Sequence, residues 1–260
     1  MDNLTTKQKE YCTTAIKTLL SAETDIVNAI KTKFSNGWPE FDDALTLMQS
    51  ISKSNRVIIT GMGKSGHVGA KIAATMSSLG KPAHFVHPGE ASHGDLGMVV
   101  RGDVLLVLSN SGNTGELDAI LQYAQQIEVP IIGITMGVNS KLTKAATVPL
   151  IIPKANEGCS LGLAPTTSTV AQLAIGDALS VGIAVINDFD RDMFNTLHPG
   201  GSLGASTTKV SDGMVPADRM VIARPDTPLN QVILDMANKS LSVAAIIDDA
   251  GFMVGIVRAK

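Results

Sequence analysis

The sequence predicts an α/β protein: a five-stranded parallel sheet, doubly wound with helices on both faces, followed by a smaller unit. Short apolar runs recur five times through the middle of the chain, and most are separated by stretches with helical periodicity. Strands that alternate with helices build parallel sheets, because each crossover helix covers one face of the sheet. The chain has 260 residues, 44% of them hydrophobic, which suffices for one large core and a second, smaller domain.

The positions of the apolar residues predict the individual elements. Residues 4–33 and 38–50 repeat apolar positions on one helical face, which predicts two amphipathic helices before the sheet. A further helix with the same spacing is predicted around residues 117–127. The runs that predict the five strands are 57–60, 83–86, 104–108, 131–135 and 148–152.

Residues 161–186 contain a single charge, Asp177, and have the length of a membrane span. However, Pro165 and the hydroxyl residues 166–169 stand near the start of this segment, and a carboxylate near the middle of a bilayer is costly. We therefore predict a fully buried helix at a subunit interface, and no association with a membrane.

The composition changes after about residue 210. An extended piece, a helix over 229–239 and strands over 243–248 and 252–257 are predicted there, preceded by a Gly- and Ser-rich linker, GGSLGAS. We predict two domains, residues 1–206 and residues 211–260. The second is too short to bury much surface and stops directly after a strand, so it is expected to be an incomplete module.

Charge and cysteine content exclude several classes of function. The formal net charge is -3 and no long basic run occurs, so nucleic acid is not an expected partner. Cys12 and Cys159 are the two cysteines, too few for a disulfide framework or a structural zinc site. The first twelve residues lack the apolar core of a signal peptide, which predicts a cytoplasmic protein.

A glycine-rich turn, GMGKSG, follows the first predicted strand at residues 61–66. Its G-x-G-x-x-G spacing is typical of dinucleotide sites, but those sites need an acidic residue about 20 positions later, where this chain has HFVHP. A P-loop would need glycine in place of Ile58. Neither nucleotide motif is complete, so the turn predicts only an anion site on a helix N-terminus.

Hydroxyl side chains and glycines cluster at two more strand ends. The stretch SNSGNTGE carries Ser109, Ser111 and Thr114, and a second cluster, 166–168, begins the apolar helix. Helix capping would account for either cluster alone. Together with the glycine-rich turn, they predict a site for a phosphate monoester.

Ionisable residues follow the same strand ends. Taken singly, each has an ordinary interpretation as a surface or capping residue, but ligands of open parallel sheets bind beyond the carboxyl ends of the strands. A lysine, a histidine and two carboxylates beside a phosphate suit proton transfer on a sugar phosphate, with no metal and no cofactor. Cys159 is predicted to be a packed side chain rather than a nucleophile. The candidates are Lys64, His87 or His93, Glu116 and Glu157.

Longer motifs resemble the sugar-phosphate isomerase (SIS) domain of bacterial arabinose-5-phosphate isomerases. They are GMGKSGHVGAKIAATMSSLGKPAHFVHPGEASHGDLGMV, LSNSGNTGE, NEGCSLGLAPTTSTVAQLAIGDALS and LHPGGSLG. The tail is similar to the first of a pair of CBS repeats, and the chain ends inside that repeat. The resemblance therefore covers nearly the whole chain but leaves regulation through a complete CBS pair in doubt.

The resemblance implies an aldose–ketose isomerase that interconverts D-ribulose 5-phosphate and D-arabinose 5-phosphate, for the Kdo of lipopolysaccharide or capsule. It implies a homotetramer with shared active sites, in which His198 enters from a neighbouring subunit. We expect His93 to lead the acid/base chemistry, with a glutamate as the C–H base. The implied catalytic residues are Lys64, His93, Glu116, Glu157 and His198. The implied phosphate contacts are Gly63, Ser65, Ser109, Ser111, Thr114, Thr166 and Ser168.

Two alternatives remain open. SIS domains also serve as sugar-phosphate sensors in regulators, which need the phosphate loops but no acid/base set. The lysine, histidines and glutamates favour an enzyme over a sensor, and the sequence contains no helix-turn-helix pattern. The second alternative is an isomerase of another ketose phosphate, because the motifs do not distinguish pentose from hexose phosphates.

Overall fold

The computed structural model describes residues 4–52, 54–199 and 210–259 and divides the chain into two compact units, 1–199 and 200–260. The predicted linker, GGSLGAS, lies outside the described residues. The first unit contains α1 Thr6–Ser35, α2 Pro39–Gln49, β1 Val57–Gly61, α3 Gly63–Ser78, β2 Ala83–Phe85, α4 Pro88–Ala91, β3 Val104–Leu108, α5 Asp118–Gln126, β4 Ile131–Thr135, α6 Lys141–Ala145, β5 Val148–Ile151, α7 Thr167–Ile186 and α8 Arg191–Leu197.

The first unit confirms the predicted fold. Its five strands are all parallel, in the order β2-β1-β3-β4-β5, and their bounds match the predicted runs within one residue. The two predicted N-terminal helices are present as α1 and α2, and the helix predicted around 117–127 is α5. Every residue of β1, β3 and β4 is buried, which explains why these strands are continuous apolar runs.

Helices cover both faces of the sheet. One face packs against α1, α2, α3 and α7, and the other against α4 and α5. Two contacts fix the direction of α7 relative to α3: Gly176 packs on Ile72, and Phe189 packs on Gly80. The two helices therefore run parallel, and both begin at the edge of the sheet where the strands end.

Helix α7 forms the predicted apolar helix, Thr167–Ile186. It passes the length and composition test for a membrane span, yet it packs against α1, α2 and α3 through Ala171, Ile175, Leu179 and Ile183. Within the single chain the helix is covered on one side only, because Val181 and Val185 are 55% and 71% exposed, and its full burial at a subunit interface stays a prediction. The charge in this segment is neutralised, since Asp177 forms a 2.6 Å ion pair with Lys71 of α3.

The second unit has a separate small core. Its elements are the one-turn helix α9 Val210–Gly213, β6 Val221–Ala223, α10 Leu229–Asn238, β7 Val243–Ile247 and β8 Met253–Arg258. Strand β7 pairs in parallel with β6 and in antiparallel with β8. Val232 and Met236 of α10 pack on this sheet, whereas Phe252 and Met253 remain exposed. Its identity as the first CBS repeat stays a prediction.

Candidate active site at the carboxyl end of the sheet

Glycines make the turn between β1 and α3 possible. Gly61 pairs with Leu108 of β3, so this turn lies beside the end of the neighbouring strand. Gly63 has φ +58°, a left-handed conformation that glycine adopts without strain. A Cβ atom on Gly66 would lie 2.5 Å from the carbonyl oxygen of Gly61. The G-x-G-x-x-G spacing is therefore explained by backbone geometry and does not require a nucleotide.

The start of α3 leaves its backbone donors available. Met62 caps this helix without a side-chain hydrogen bond. Among the described residues, no group accepts a hydrogen bond from the backbone N–H of Gly63, Lys64 or Ser65. Such N–H groups and the positive end of the helix dipole attract anions. The start of α3 is thus suited to a phosphate group.

The loop after β3, residues 109–116, is built around the hydroxyl of Ser109. This residue is 2% exposed, its Oγ accepts a 3.0 Å hydrogen bond from the N–H of Gly112, and the Oγ lies 2.8 Å from Thr114 Oγ1. Because Oγ of Ser109 accepts a hydrogen bond from Gly112, its own proton can be donated to Thr114, which leaves the Thr114 hydroxyl free to donate outward. Ser111 is exposed. The loop therefore presents the hydroxyls of Ser111 and Thr114.

The segment after β4 holds this loop in place, a role that sequence analysis did not identify. The N–H of Met136 donates to Asn110 O, that of Leu142 to Gly112 O, and that of Lys141 to Asn113 Oδ1, at 2.9–3.0 Å. The one sequence feature related to this role is a glycine, Gly137, and it indicates the packing only indirectly. Gly137 is needed because a Cβ atom there would collide with the carbonyl of Ser111, and that packing is visible only in three dimensions.

Glu157 occupies the start of α7. Its Oε2 accepts hydrogen bonds from the N–H of Thr166 at 2.7 Å and from the N–H of Ser168 at 3.3 Å. Burial raises the pKa of this carboxyl, but the hydrogen bonds from Ser168 and Thr166 together outweigh it and lower the pKa below its ordinary value. Glu157 is therefore held ionised, as an internal anion on the helix N-terminus.

Cys159 is half-buried in the loop that leads from Glu157 to α7. Its Sγ accepts hydrogen bonds from the N–H of Ala164 at 3.1 Å and of Leu163 at 3.2 Å. The pKa of this thiol is lowered by the N–H of Ala164 against the opposing effect of burial, with the N–H of Leu163 as a further lowering contribution. The thiolate is thus favoured relative to an ordinary cysteine.

Three of the predicted catalytic side chains have no hydrogen-bond or ion-pair partner among the described residues. Lys64 lies in the first turn of α3, His93 follows α4, and Glu116 precedes α5, so all three come after the carboxyl ends of strands. All three are exposed, and the described residues offer none of them a side-chain hydrogen bond or an ion pair. The alternative candidate His87 is engaged, since its Nδ1 accepts from the N–H of Gly89 at 3.2 Å and caps α4.

His198 lies elsewhere. Its Nε2 is 3.1 Å from Ser78 Oγ, at the far end of α3 from Lys64. Ser78 is fourteen positions after Lys64 on the same helix, a distance of about 21 Å along the axis. One chain therefore brings Lys64, His93, Glu116 and Glu157 to the same edge of the sheet, but not His198. Groups of three or more potential metal ligands are absent from the residues that the structure describes.

Known proteins are similar to this chain in sequence and in fold. The SIS domain family matches residues 50–182. The arabinose 5-phosphate isomerase KdsD of Escherichia coli K12 is 43% identical over 202 residues, which are 77% of this chain and 62% of that protein. KdsD of Pseudomonas aeruginosa PAO1 is 39% identical over 238 residues, 91% of this chain and 72% of that protein. A solved structure of an E. coli CFT073 protein in complex with arabinose 5-phosphate superposes with a TM-score of 0.66 at 33% identity, over 76% of this chain and 100% of that chain.

Proposed function

The chain belongs to the SIS domain family, and from this premise we propose that it is an arabinose-5-phosphate isomerase, an aldose–ketose isomerase that interconverts D-ribulose 5-phosphate and D-arabinose 5-phosphate. One observation carries the proposal. Available helix N–H groups, outward hydroxyls and three uncommitted ionisable side chains share one edge of the sheet. The relatives named as such isomerases support the choice of substrate, although the chain spans only 62% of the E. coli relative.

We propose that the phosphate group is bound between the start of α3 and the 109–116 loop. The backbone N–H groups of Gly63 and Ser65 and the outward hydroxyls of Ser111 and Thr114 supply the donors, and Ser109 contributes by donating to Thr114 and so orienting that hydroxyl. Thr166 and Ser168 are proposed as additional, weaker contacts, because the Thr166 hydroxyl already donates to Glu157 Oε2 at 3.3 Å and the Ser168 hydroxyl also bonds to that carboxylate. Their backbone N–H groups already donate to Glu157. Most of the phosphate affinity is therefore expected from α3 and the 109–116 loop.

The proposed reaction moves one proton between two carbons. A base removes the proton from C1 of the ketose, the carbonyl oxygen at C2 takes a proton, and the resulting enediol is reprotonated at C2 while O1 releases its proton to leave the aldehyde. His93 is proposed as the acid/base that serves the oxygens, and Lys64 as the cation that stabilises their negative charge. Glu116 is proposed as the C–H base, because the hydrogen bonds to Glu157 make that carboxylate the weaker base.

The remaining proposals concern the context of the enzyme. They are a cytoplasmic homotetramer, a site completed by His198 of another subunit, a role in forming Kdo for lipopolysaccharide or capsule, and catalysis without metal or organic cofactor. Neither nucleic acid nor a membrane is a proposed partner. The second unit is proposed to be the first CBS repeat, residues 211–260, without an assigned regulator.

The test is proton NMR of the purified 260-residue chain with ribulose 5-phosphate in D₂O. Arabinose 5-phosphate carrying deuterium at C2 is expected, since the abstracted proton exchanges with solvent. A His93→Ala variant is expected to lose at least a hundredfold in rate, in line with the usual contribution of a general acid/base of about 10²–10⁴. A His84→Ala variant, in the middle of β2, is the control and keeps its activity.

Other outcomes would contradict the proposal. If the chain does not convert ribulose 5-phosphate but converts a hexose phosphate, the assigned substrate is wrong. If no sugar phosphate is converted while ribulose 5-phosphate raises the melting temperature, the chain is a sensor, because binding alone stabilises the folded state.

A further inference from the structure

The ring of His198 is fixed by three contacts within its own chain. Its Nδ1 lies 2.8 Å from the carbonyl oxygen of Phe194, and its Nε2 lies 3.1 Å from Ser78 Oγ. The ring also stacks on the side chain of Phe194, with centroids 3.9 Å apart and planes inclined by 17°. Both ring nitrogens of His198 and one face of the ring are therefore engaged within its own chain.

These contacts define the tautomer. A carbonyl oxygen can only accept a hydrogen bond, so Nδ1 of His198 must carry the proton that faces Phe194. In the neutral ring, Nε2 is then the unprotonated nitrogen, and it accepts from the hydroxyl of Ser78. The nitrogen that can take up a proton is therefore the one beside Ser78.

We propose that Ser78 is a positioning residue that holds His198 in the Nδ1-protonated tautomer and aims Nε2 for proton exchange in the active site of another copy of the chain. This inference deepens the proposed function and rests on it, because His198 lies far from the phosphate loops of its own chain. Ser78 acts through the histidine and is not itself a catalytic residue.

The hydroxyl of Ser78 is well suited to this role. A hydroxyl can donate to neutral Nε2 and can rotate to accept from the N–H of the imidazolium, so it supports both protonation states of His198. A carboxylate at the same place would favour only the charged state. Ser78 lies in the last turn of α3, whose backbone is regular and packed against α7, so the position of the hydroxyl is set by a rigid element.

The test compares Ser78→Ala with Ser77→Ala by steady-state kinetics on ribulose 5-phosphate. Ser77 is the matched control, since its hydroxyl donates to Ala83 O at 3.0 Å and does not touch His198. Loss of one hydrogen bond that orients a catalytic group is expected to lower kcat about five- to tenfold in Ser78→Ala, with KM changed by less than about twofold. Ser77→Ala is expected to keep the wild-type kcat. Ser78→Thr retains a hydroxyl and is expected to restore most of the kcat.

Two further measurements separate positioning from a general structural effect. In a His198→Ala background, Ser78→Ala should not lower kcat any further, since there is no ring left to position. Nitrogen-15 NMR of labelled histidine should show the Nδ1-protonated tautomer for His198 in the wild type and a tautomer mixture in Ser78→Ala. The chain has five histidines, and the His198 signal is identified by its loss in His198→Ala.

Each contrary result has a distinct meaning. An unchanged tautomer and kcat in Ser78→Ala would overturn the inference and leave the isomerase assignment intact. An equal loss of kcat in both backgrounds would also overturn it, because Ser78 would then act independently of the histidine. If the wild type does not isomerise the substrate, the proposed function is wrong, and the tautomer measurement still decides whether Ser78 positions the ring.

Discussion

Two parallel helices, α3 and α7, begin side by side at the carboxyl edge of the sheet. Their N-termini differ in whether a protein side chain accepts hydrogen bonds from the first backbone N–H groups. The start of α7 holds an internal anion, since Glu157 accepts from Thr166 and Ser168. The start of α3 has no side-chain cap. A helix N-terminus has several unpaired N–H groups and a partial positive charge, both of which favour an anion. In α7 the protein supplies that anion, and at α3 we expect the substrate to supply it.

This difference assigns separate tasks to two stretches that both predict phosphate contacts. One is the glycine-rich turn 61–66 after β1, and the other is the set of hydroxyl residues 166–168 at the start of α7. In the structure, the turn leaves its backbone donors available, whereas the start of α7 uses its donors to keep a carboxylate ionised. Such stretches therefore predict an anion site without saying whether the anion belongs to the protein or to the ligand.

The largest expected effect comes from adding a side chain to the glycine-rich turn at the start of α3. Gly66→Ala would push a Cβ atom against the carbonyl of Gly61, backbone to backbone, and the turn before α3 would have to shift. We expect a loss of about 3 kcal/mol in the free energy of unfolding, together with loss of phosphate binding, measured by chemical denaturation and calorimetry. Gly97→Ala is the control, because nothing lies within 4 Å of the Cβ atom there. Equal stability of the two variants would contradict the close-approach argument.

The next effect comes from removing the internal anion of α7. Glu157→Ala leaves two helix N–H groups without their acceptor and should lower the free energy of unfolding by about 2 kcal/mol. Glu116→Ala is the matched control for stability, since that exposed carboxylate has no partner among the described residues and should change stability by less than about 0.5 kcal/mol. Chemical denaturation of both variants is the measurement. A neutral effect of Glu157→Ala would mean that water replaces the carboxylate at no cost.

Acid should weaken the same interaction. Glu157 has a lowered pKa in the folded chain, so its contribution to stability is present above the unfolded value, about 4.3, and is lost as the pH falls through the folded value. The wild type should therefore lose stability relative to Glu157→Gln as the pH falls below about 4.3. Denaturation midpoints between pH 6 and pH 3 measure the difference. Parallel pH profiles would show that another group controls the acid response.

Comparing serines of the two helices tests which start binds the phosphate. Removing the Ser65 hydroxyl, a proposed donor beside the backbone N–H groups, in Ser65→Ala should weaken the binding of inorganic phosphate at least about tenfold, since one hydrogen bond to a charged group contributes about 1.5–3 kcal/mol. Ser168→Ala is expected to weaken it less, because Ser168 is 2% exposed and engaged with Glu157. Calorimetric titration measures both constants. A larger loss in Ser168→Ala would reverse the assignment of the two helix starts.

The sequence predicts the sheet more completely than the site. The strands and α5 follow directly from runs and spacings of apolar residues, because burial on both faces demands those residues. The contacts that shape the site involve partners distant in sequence, such as Lys141 with Asn113 and Ser78 with His198. No local pattern encodes such a pairing. Helix α7 shows a related limit, since composition does not reveal which face of an apolar helix its own chain covers.

The smallest expected effect lies in the loop before α7, where the same preference for anions extends to a thiol. Backbone N–H groups of Ala164 and Leu163 point at Cys159 and lower the pKa of its thiol, whereas Cys12 is exposed on α1 without such donors among the described residues. The rate of alkylation by iodoacetamide follows the thiolate fraction. Cys12→Ser, which retains only Cys159, should therefore reach its half-maximal rate at a lower pH than a free cysteine-containing peptide, and Cys12→Ser/Cys159→Ser is the control for reaction elsewhere. Coincident pH profiles would mean that the N–H groups near Cys159 do not stabilise a negative charge, and that the anion preference of this region ends at Glu157.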